Sequence, residues 1–167
     1  VAAFGTLLTV WVALQSLVPI FTGGLSDRYG YKQTIFVSIV IKCLGYLIMA
    51  RFHSYGGFFA GAVVLAIGTA IFKPGIQGTL VRCTSRKNSS MAWGVFYQTV
   101  NIGGWIGPLI ALRMRQMDWT YVFYVNAAII CLNFILLMTY KEPGKEERLA
   151  RRAKERAAVA GESNRFM

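Results

Sequence analysis

Charged residues are scarce in this sequence, and acidic residues are the scarcest. Only 15% of the 167 residues are charged, whereas a soluble domain usually carries about a quarter. The single histidine, His53, has no metal-ligand spacing to any of the three cysteines, which are interpreted as small apolar core residues. The sequence shows neither a nucleophile paired with a base nor a phosphate-binding loop. We therefore expect no enzyme activity, no catalytic residue, no cofactor and no metal site.

Long uncharged runs dominate the sequence instead, with 55% hydrophobic residues and a mean hydropathy of +0.47. A helix needs about 20 apolar residues to cross the hydrocarbon core of a bilayer. Two of the runs reach this length only by continuing past Lys42 and Lys73. The runs are Val1–Thr22, Gln33–Ile41, Gly56–Phe72, Ser89–Leu112 and Trp119–Tyr140. They predict an all-α polytopic membrane protein with five spans.

The basic residues are distributed unevenly between the hydrophilic connections. Thirteen of the 18 lysines and arginines lie in three segments. These are the first connection (Asp27–Gln33), the third connection (Arg82–Asn88) and the tail from Lys141. Basic residues near span ends are retained on the cytoplasmic side. We therefore expect these three segments in the cytoplasm and no nucleic-acid partner, despite the net charge of +11. Because the chain begins at Val1 rather than at methionine, we expect one further helix upstream.

The first connection carries the most specific motif in the chain. It resembles the loop signature between the second and third helices of the major facilitator superfamily. The agreement covers Gly23, Leu25, Asp27, Arg28, Gly30 and Lys32. Glycines permit a tight turn with positive φ, and we expect the first span to end at Gly23 and Gly24. In the family this loop is a gate latch, which is the role that the resemblance implies here.

The resemblance also assigns the five spans. Residues 1–140 correspond to helices two to six of the N-terminal six-helix bundle, and residues 141–167 to a basic cytoplasmic linker. Helix one and the C-terminal half would then lie outside this chain. The implied location is the inner (plasma) membrane, with the lipid bilayer as a partner.

Two spans contain residues that are costly in a membrane. Lys73, followed by Pro74, lies about nine residues before Arg82, or about 14 Å at 1.5 Å per residue. A lysine at this depth usually faces a cavity or a partner, although a structural pair remains an alternative. Lys42 is the weaker case, because it lies about one-third along its span and its side chain can reach the interface.

The fourth span carries a stripe of Tyr97, Asn101 and Trp105, at positions i, i+4 and i+8. Residues with this spacing share one helix face. Such a stripe predicts a water-filled cavity, or else hydrogen bonds to another helix. We expect Lys73, Tyr97, Asn101 and Trp105 to form the substrate site.

The segments around Lys73 and Tyr97 resemble the proton-dependent oligopeptide transporters. Matching residues are Phe72, Lys73, Tyr97, Asn101, Ile102 and Gly103. In that family the lysine, tyrosine and asparagine line the peptide site. The resemblance implies proton-coupled uptake of di- and tripeptides by alternating access, with protons and a peptide or other small molecule as partners.

A second pattern overlaps the fourth span and keeps another function open. Gly94, Gly103, Gly107, Pro108 and Ala111 resemble the glycine-proline signature of facilitator antiporters. Glycines at these positions allow helices to approach closely, and the proline bends the helix. The alternative function is proton-driven export of drugs or metabolites. A non-transporting receptor or structural membrane protein is a further alternative with the same fold.

Overall fold

The structure, a computed structural model, describes residues 2–141 and five residues of the tail, at positions 146, 149, 150, 153 and 154. Residues 2–141 form five helices and no strand, so the predicted all-α class is confirmed. The helices are α1 (Ala2–Tyr29), α2 (Tyr31–Arg51), α3 (Tyr55–Cys83), α4 (Ser89–Arg115) and α5 (Trp119–Thr139). The five tail residues are helical, and the rest of the predicted linker 141–167 lies outside the described residues except Lys141.

Four of the described helices are long and apolar enough to cross a membrane. These are Ala3–Tyr29, Tyr31–Arg51, Tyr55–Cys83 and Trp119–Thr139. Helix α4 has 27 residues, which is long enough, but Gln98, Asn101 and the terminal Arg113 and Arg115 lower its hydropathy. Polar residues are tolerated in a membrane helix that faces a cavity. That α4 spans the membrane therefore remains a prediction.

The centre of the bundle is the contact between α2 and α3. Gly45 and Gly68 lie where the two helices touch, and a Cβ added at either position would meet atoms of the other helix at 2.8–2.9 Å. The buried side chains of Met49, Ala62 and Leu65 extend this contact. Small residues therefore allow these two helices to approach closely. Helix α1 packs on α3, and α5 packs on α2.

Helix α4 lies at the edge of this bundle. None of its residues is buried, and a Cβ added at Gly94, Gly103, Gly104 or Gly107 would meet nothing within 4 Å. The close approach that the glycine-proline pattern predicts is therefore not made to any described helix. Helix α4 touches α5 and, slightly, α3, and most of its surface is left available to other contacts.

The first helix is longer than the predicted first span. Helix α1 continues through Gly23 and Gly24 to Tyr29, and among the described residues only Gly30 has a positive φ, at 109°. At 28 residues α1 is about 42 Å long, which exceeds the roughly 30 Å of the hydrocarbon core. The helix therefore extends beyond the core, and the chain turns at Gly30 alone.

Candidate functional site

Lys73 lies on α3 with its side chain exposed. It is ten residues before the helix end at Cys83, or about 15 Å at 1.5 Å per residue. None of the described hydrogen bonds and ion pairs involves its ammonium group. The Lys73 ammonium group therefore lies free on the surface of α3, where it can bind a ligand or another part of the protein.

The predicted stripe on α4 is a continuous exposed face. Tyr97 is 54% exposed, Trp105 is 80% exposed, and Asn101 between them is also exposed. The Tyr97 ring stacks on Trp93, with 5.9 Å between ring centroids. The Phe96 ring meets the Tyr97 ring edge-on at 5.5 Å.

Trp93 extends the stripe by one step and was missed in the sequence analysis. It precedes Tyr97 by four residues, which is the same spacing that joins Tyr97 to Asn101 and Asn101 to Trp105. The same spacing of four residues in the sequence would have identified Trp93 as part of the stripe. We call Trp93, Tyr97, Asn101 and Trp105 the α4 aromatic face.

The described structure does not bring Lys73 into contact with the α4 aromatic face. Helices α3 and α4 touch only slightly, and none of the described hydrogen bonds joins Lys73 to Tyr97 or Asn101. The predicted four-residue site is therefore two exposed surfaces on adjacent helices, and their convergence remains a prediction.

Lys42 is more deeply placed than Lys73, contrary to the order expected from sequence. It is the twelfth residue of the 21-residue helix α2, close to its midpoint. Its stem packs against Gly68, and its ammonium nitrogen lies 3.5 Å from the centroid of the Phe72 ring. A cation over an aromatic face is attracted by the ring quadrupole. Lys42 is thus a half-buried cation without an ion-pair partner among the described residues.

The predicted gate motif lies where α1 meets α2. Asp27 lies in the last turn of α1 and accepts a hydrogen bond from the Tyr31 hydroxyl. Arg82 of α3 donates to the same hydroxyl from Nε at 3.3 Å. The buried Tyr31 ring lies against Gly78, where a Cβ would clash with it. Tyr31 therefore joins the gate motif to α3, a role that the sequence motif alone did not predict.

The other gate residues are spread over the same end of the bundle. Gly23 and Arg28 are helical residues of α1, and Arg28 is exposed. Leu25 is helical, and its side chain lies outside the described set. Lys32, in the first turn of α2, donates to the backbone oxygen of Tyr140 at 2.8 Å. The motif is therefore tied to α5 as well as to α3.

Comparison with known proteins decides the family. Residues 1–165 match the Major Facilitator Superfamily. The chain belongs to this superfamily. The match confirms the predicted facilitator fold. With the apolar helices, it identifies the chain as part of a multi-pass inner-membrane protein from a superfamily of transporters rather than of enzymes.

Three relatives are similar over most of this chain. The methyl viologen resistance protein SmvA of Salmonella typhimurium is 30% identical over 120 residues, covering 71% of this chain and 24% of the relative. The uncharacterized transporter YclF of Bacillus subtilis is 24% identical over 127 residues, covering 74% and 26%. The quinolone resistance protein NorA of Staphylococcus aureus is 22% identical over 132 residues, covering 79% and 34%.

The chain spans about a quarter to a third of the length of these relatives. Two of the three names describe drug resistance and none describes peptide transport. The superfamily is therefore established, whereas the resemblance to oligopeptide transporters receives no support from these relatives.

Proposed function

We propose that the protein containing this chain is a proton-driven transporter that exports planar aromatic solutes by alternating access. The α4 aromatic face is the observation that carries this proposal. Tyr97 and Trp105 present large exposed ring surfaces, and the half-buried Trp93 stacks on Tyr97. Stacking of aromatic rings contributes about 0.5–1.5 kcal/mol beyond their buried area. In transporters of this kind, two helical halves rock about a site near the bilayer midplane.

The names of two relatives support the same class of solute. Methyl viologen and quinolones are both flat aromatic compounds, and resistance to a compound is a common consequence of its export. The two compounds differ in charge, because methyl viologen is a dication and quinolones carry a carboxylate. The free ammonium of Lys73 would attract the carboxylate and repel the dication. We therefore expect a preference for aromatic carboxylates.

The test uses the full-length protein in inverted membrane vesicles with an imposed proton gradient. The wild type is expected to accumulate a fluorescent quinolone faster than methyl viologen. Trp105→Ala should slow quinolone accumulation, and Lys73→Gln should reduce the preference for quinolone over methyl viologen. Lys87→Gln is the matched control, because Lys87 is an exposed lysine in the connection between α3 and α4. Equal rates in wild type and Trp105→Ala would contradict the proposed role of the aromatic face.

Proton-coupled uptake of di- and tripeptides is the second candidate. It is favoured by the exposed Lys73 ammonium, which has the charge needed to bind a peptide carboxylate, and by Tyr97 and Asn101, which can hydrogen-bond a peptide. Right-side-out vesicles given an external dipeptide and an inward proton gradient separate the two candidates. Proton-driven dipeptide uptake that is lost in Lys73→Ala and Lys73→Gln would favour the peptide function over aromatic export. No saturable flux of either solute class would favour a non-transporting role.

A further inference from the structure

Helices α2 and α5 pack side by side in a well-defined antiparallel register. At one end, Lys32 donates to the backbone oxygen of Tyr140 at 2.8 Å. One turn further along α2, the rings of Phe36 and Phe134 meet edge-on with 5.3 Å between centroids. As the residue number rises along α2, the number of its partner on α5 falls. The two helices are thus held in one register by contacts of different chemistry.

This register brings two cysteines together that are 88 positions apart in sequence. The Sγ atoms of Cys43 and Cys131 lie 3.4 Å apart. Cys43 also lies beside the core cluster that contains Ile39 and Leu137. Its Sγ is 4.0 Å from the backbone oxygen of Ala127, one helical turn before Cys131. The contacts on both sides of the pair therefore hold the two cysteines opposite each other.

The pair is placed for reaction with a reagent dissolved in the membrane. Each cysteine is the thirteenth residue of a 21-residue helix, so it lies at least eight residues, or about 12 Å, from either helix end. Cys43 is half-buried, and Cys131 is exposed on the surface of α5. A disulfide has an S–S length of about 2.05 Å, so the sulfurs need to approach by only about 1.3 Å. Rotation of two side chains supplies a movement of this size.

We propose that Cys43 and Cys131 form a modification site, at which a lipid-soluble quinone oxidises the two thiols to a disulfide. Two S–H bonds break and one S–S bond forms. The two electrons and two protons pass to the quinone, which becomes the hydroquinone. The product is a covalent link that ties α2 to α5 in the middle of the bundle. It closes a long loop, and disulfides that close long loops restrict the unfolded chain most strongly.

The third cysteine provides an internal control. Cys83 is exposed at the C-terminal end of α3, and none of the described contacts brings it near another sulfur. A reagent that merely oxidises accessible thiols would act on Cys83 at least as readily as on the pair. If Cys43 and Cys131 lose their free thiols while Cys83 keeps its own, the proximity of the pair and not its accessibility determines the reaction.

The experiment treats the full-length protein in native membrane vesicles with a fully substituted benzoquinone, which has no free ring position for thiol addition. Thiols are then alkylated, and the peptides are analysed by mass spectrometry without reduction. We expect a cross-linked peptide containing Cys43 and Cys131, alkylated Cys83, and recovery of both thiols after a membrane-permeable phosphine. Cys43→Ser should leave Cys131 alkylated. The oxidised wild type should also melt at a higher temperature than the treated Cys43→Ser variant.

Several results would overturn the proposal. One is that Cys43 and Cys131 remain free after treatment with the quinone and also after treatment with diamide, a small diffusible oxidant. Another is that Cys131 is still oxidised in Cys43→Ser, which would show a different partner. Cross-linking by diamide with no reaction towards the quinone would reject the quinone as the oxidant.

Discussion

Replacement of Gly45 by alanine tests the central contact of the bundle. A Cβ at this position would lie 2.8 Å from the backbone nitrogen of Leu65, 3.0 Å from its Cα and 3.0 Å from the backbone oxygen of Gly61. All three atoms belong to the backbone of α3. The clash therefore cannot be relieved by rotating a side chain, and the two helices must move apart.

The expected magnitude follows from two opposing effects. Overpacking a well-packed core costs about 1–3 kcal/mol. Replacing glycine by alanine within a helix stabilises the helix by about 0.5–1 kcal/mol. With middle values of about 2 and about 0.75 kcal/mol for these two effects, Gly45→Ala is expected to lower the free energy of unfolding by about 1 kcal/mol.

Gly94→Ala is the matched control, because a Cβ at Gly94 would meet nothing within 4 Å. Only the helix-propensity gain remains there, so this variant is expected to equal or exceed wild-type stability. Denaturant titration of purified protein in detergent, followed by circular dichroism, measures both variants. If Gly45→Ala unfolds at the same denaturant concentration as wild type, the close contact between α2 and α3 is refuted.

Two further predictions concern polar groups at the two ends of the bundle. Tyr31→Phe keeps the ring but removes the hydroxyl that joins Asp27 to Arg82, and should lower the free energy of unfolding by about 1 kcal/mol. At the start of α5, the carboxylate of Asp118 accepts a hydrogen bond from the backbone nitrogen of Thr120 at 2.9 Å. This bond is the main reason that the pKa of Asp118 is lowered from its usual value. Asp118→Ala should therefore reduce the melting temperature at neutral pH.

The sign of the pH dependence for Asp118 is fixed by the direction of its pKa shift. Because folding lowers the pKa, the stabilising contribution is complete above the unfolded value of about 3.9 and is lost as the pH falls through the folded value. The melting temperatures of wild type and Asp118→Ala should converge in acid, and an unchanged difference there would reject the capping explanation.

For Tyr31→Phe, the control is Tyr121→Phe, which alters an exposed tyrosine. Equal stability losses in the two variants would contradict the proposed link.

Much of the fold follows from local properties of the sequence. Inside a membrane a helix satisfies its backbone hydrogen bonds within one segment, so apolar runs near 20 residues locate α1, α2, α3 and α5. The small residues of α3, such as Gly61 and Gly68, are also of the kind that lets membrane helices approach closely. Helix α4 was predicted as a helix, although its hydropathy is lower because it carries Gln98 and Asn101.

The end of α1 shows where a local pattern was insufficient. Gly23 and Gly24 have the conformational freedom to end a helix, but they are also compatible with one. Nothing in the motif itself distinguishes these two outcomes. The structure places the turn at Gly30, where Tyr31 then enters the space left by Gly78 on another helix.

Sequence patterns indicate a bundle of apolar helices with a predicted gate motif at one end, two lysines within its spans and a polar-aromatic stripe on one helix. Only the packing of the helices shows that Lys42 lies against Phe72 while Lys73 is exposed, and that Cys43 meets Cys131. The physical reason is that helix formation depends on neighbours within a few residues. The burial of a side chain depends instead on which face of its helix meets another helix, and those contacts join residues far apart in the chain.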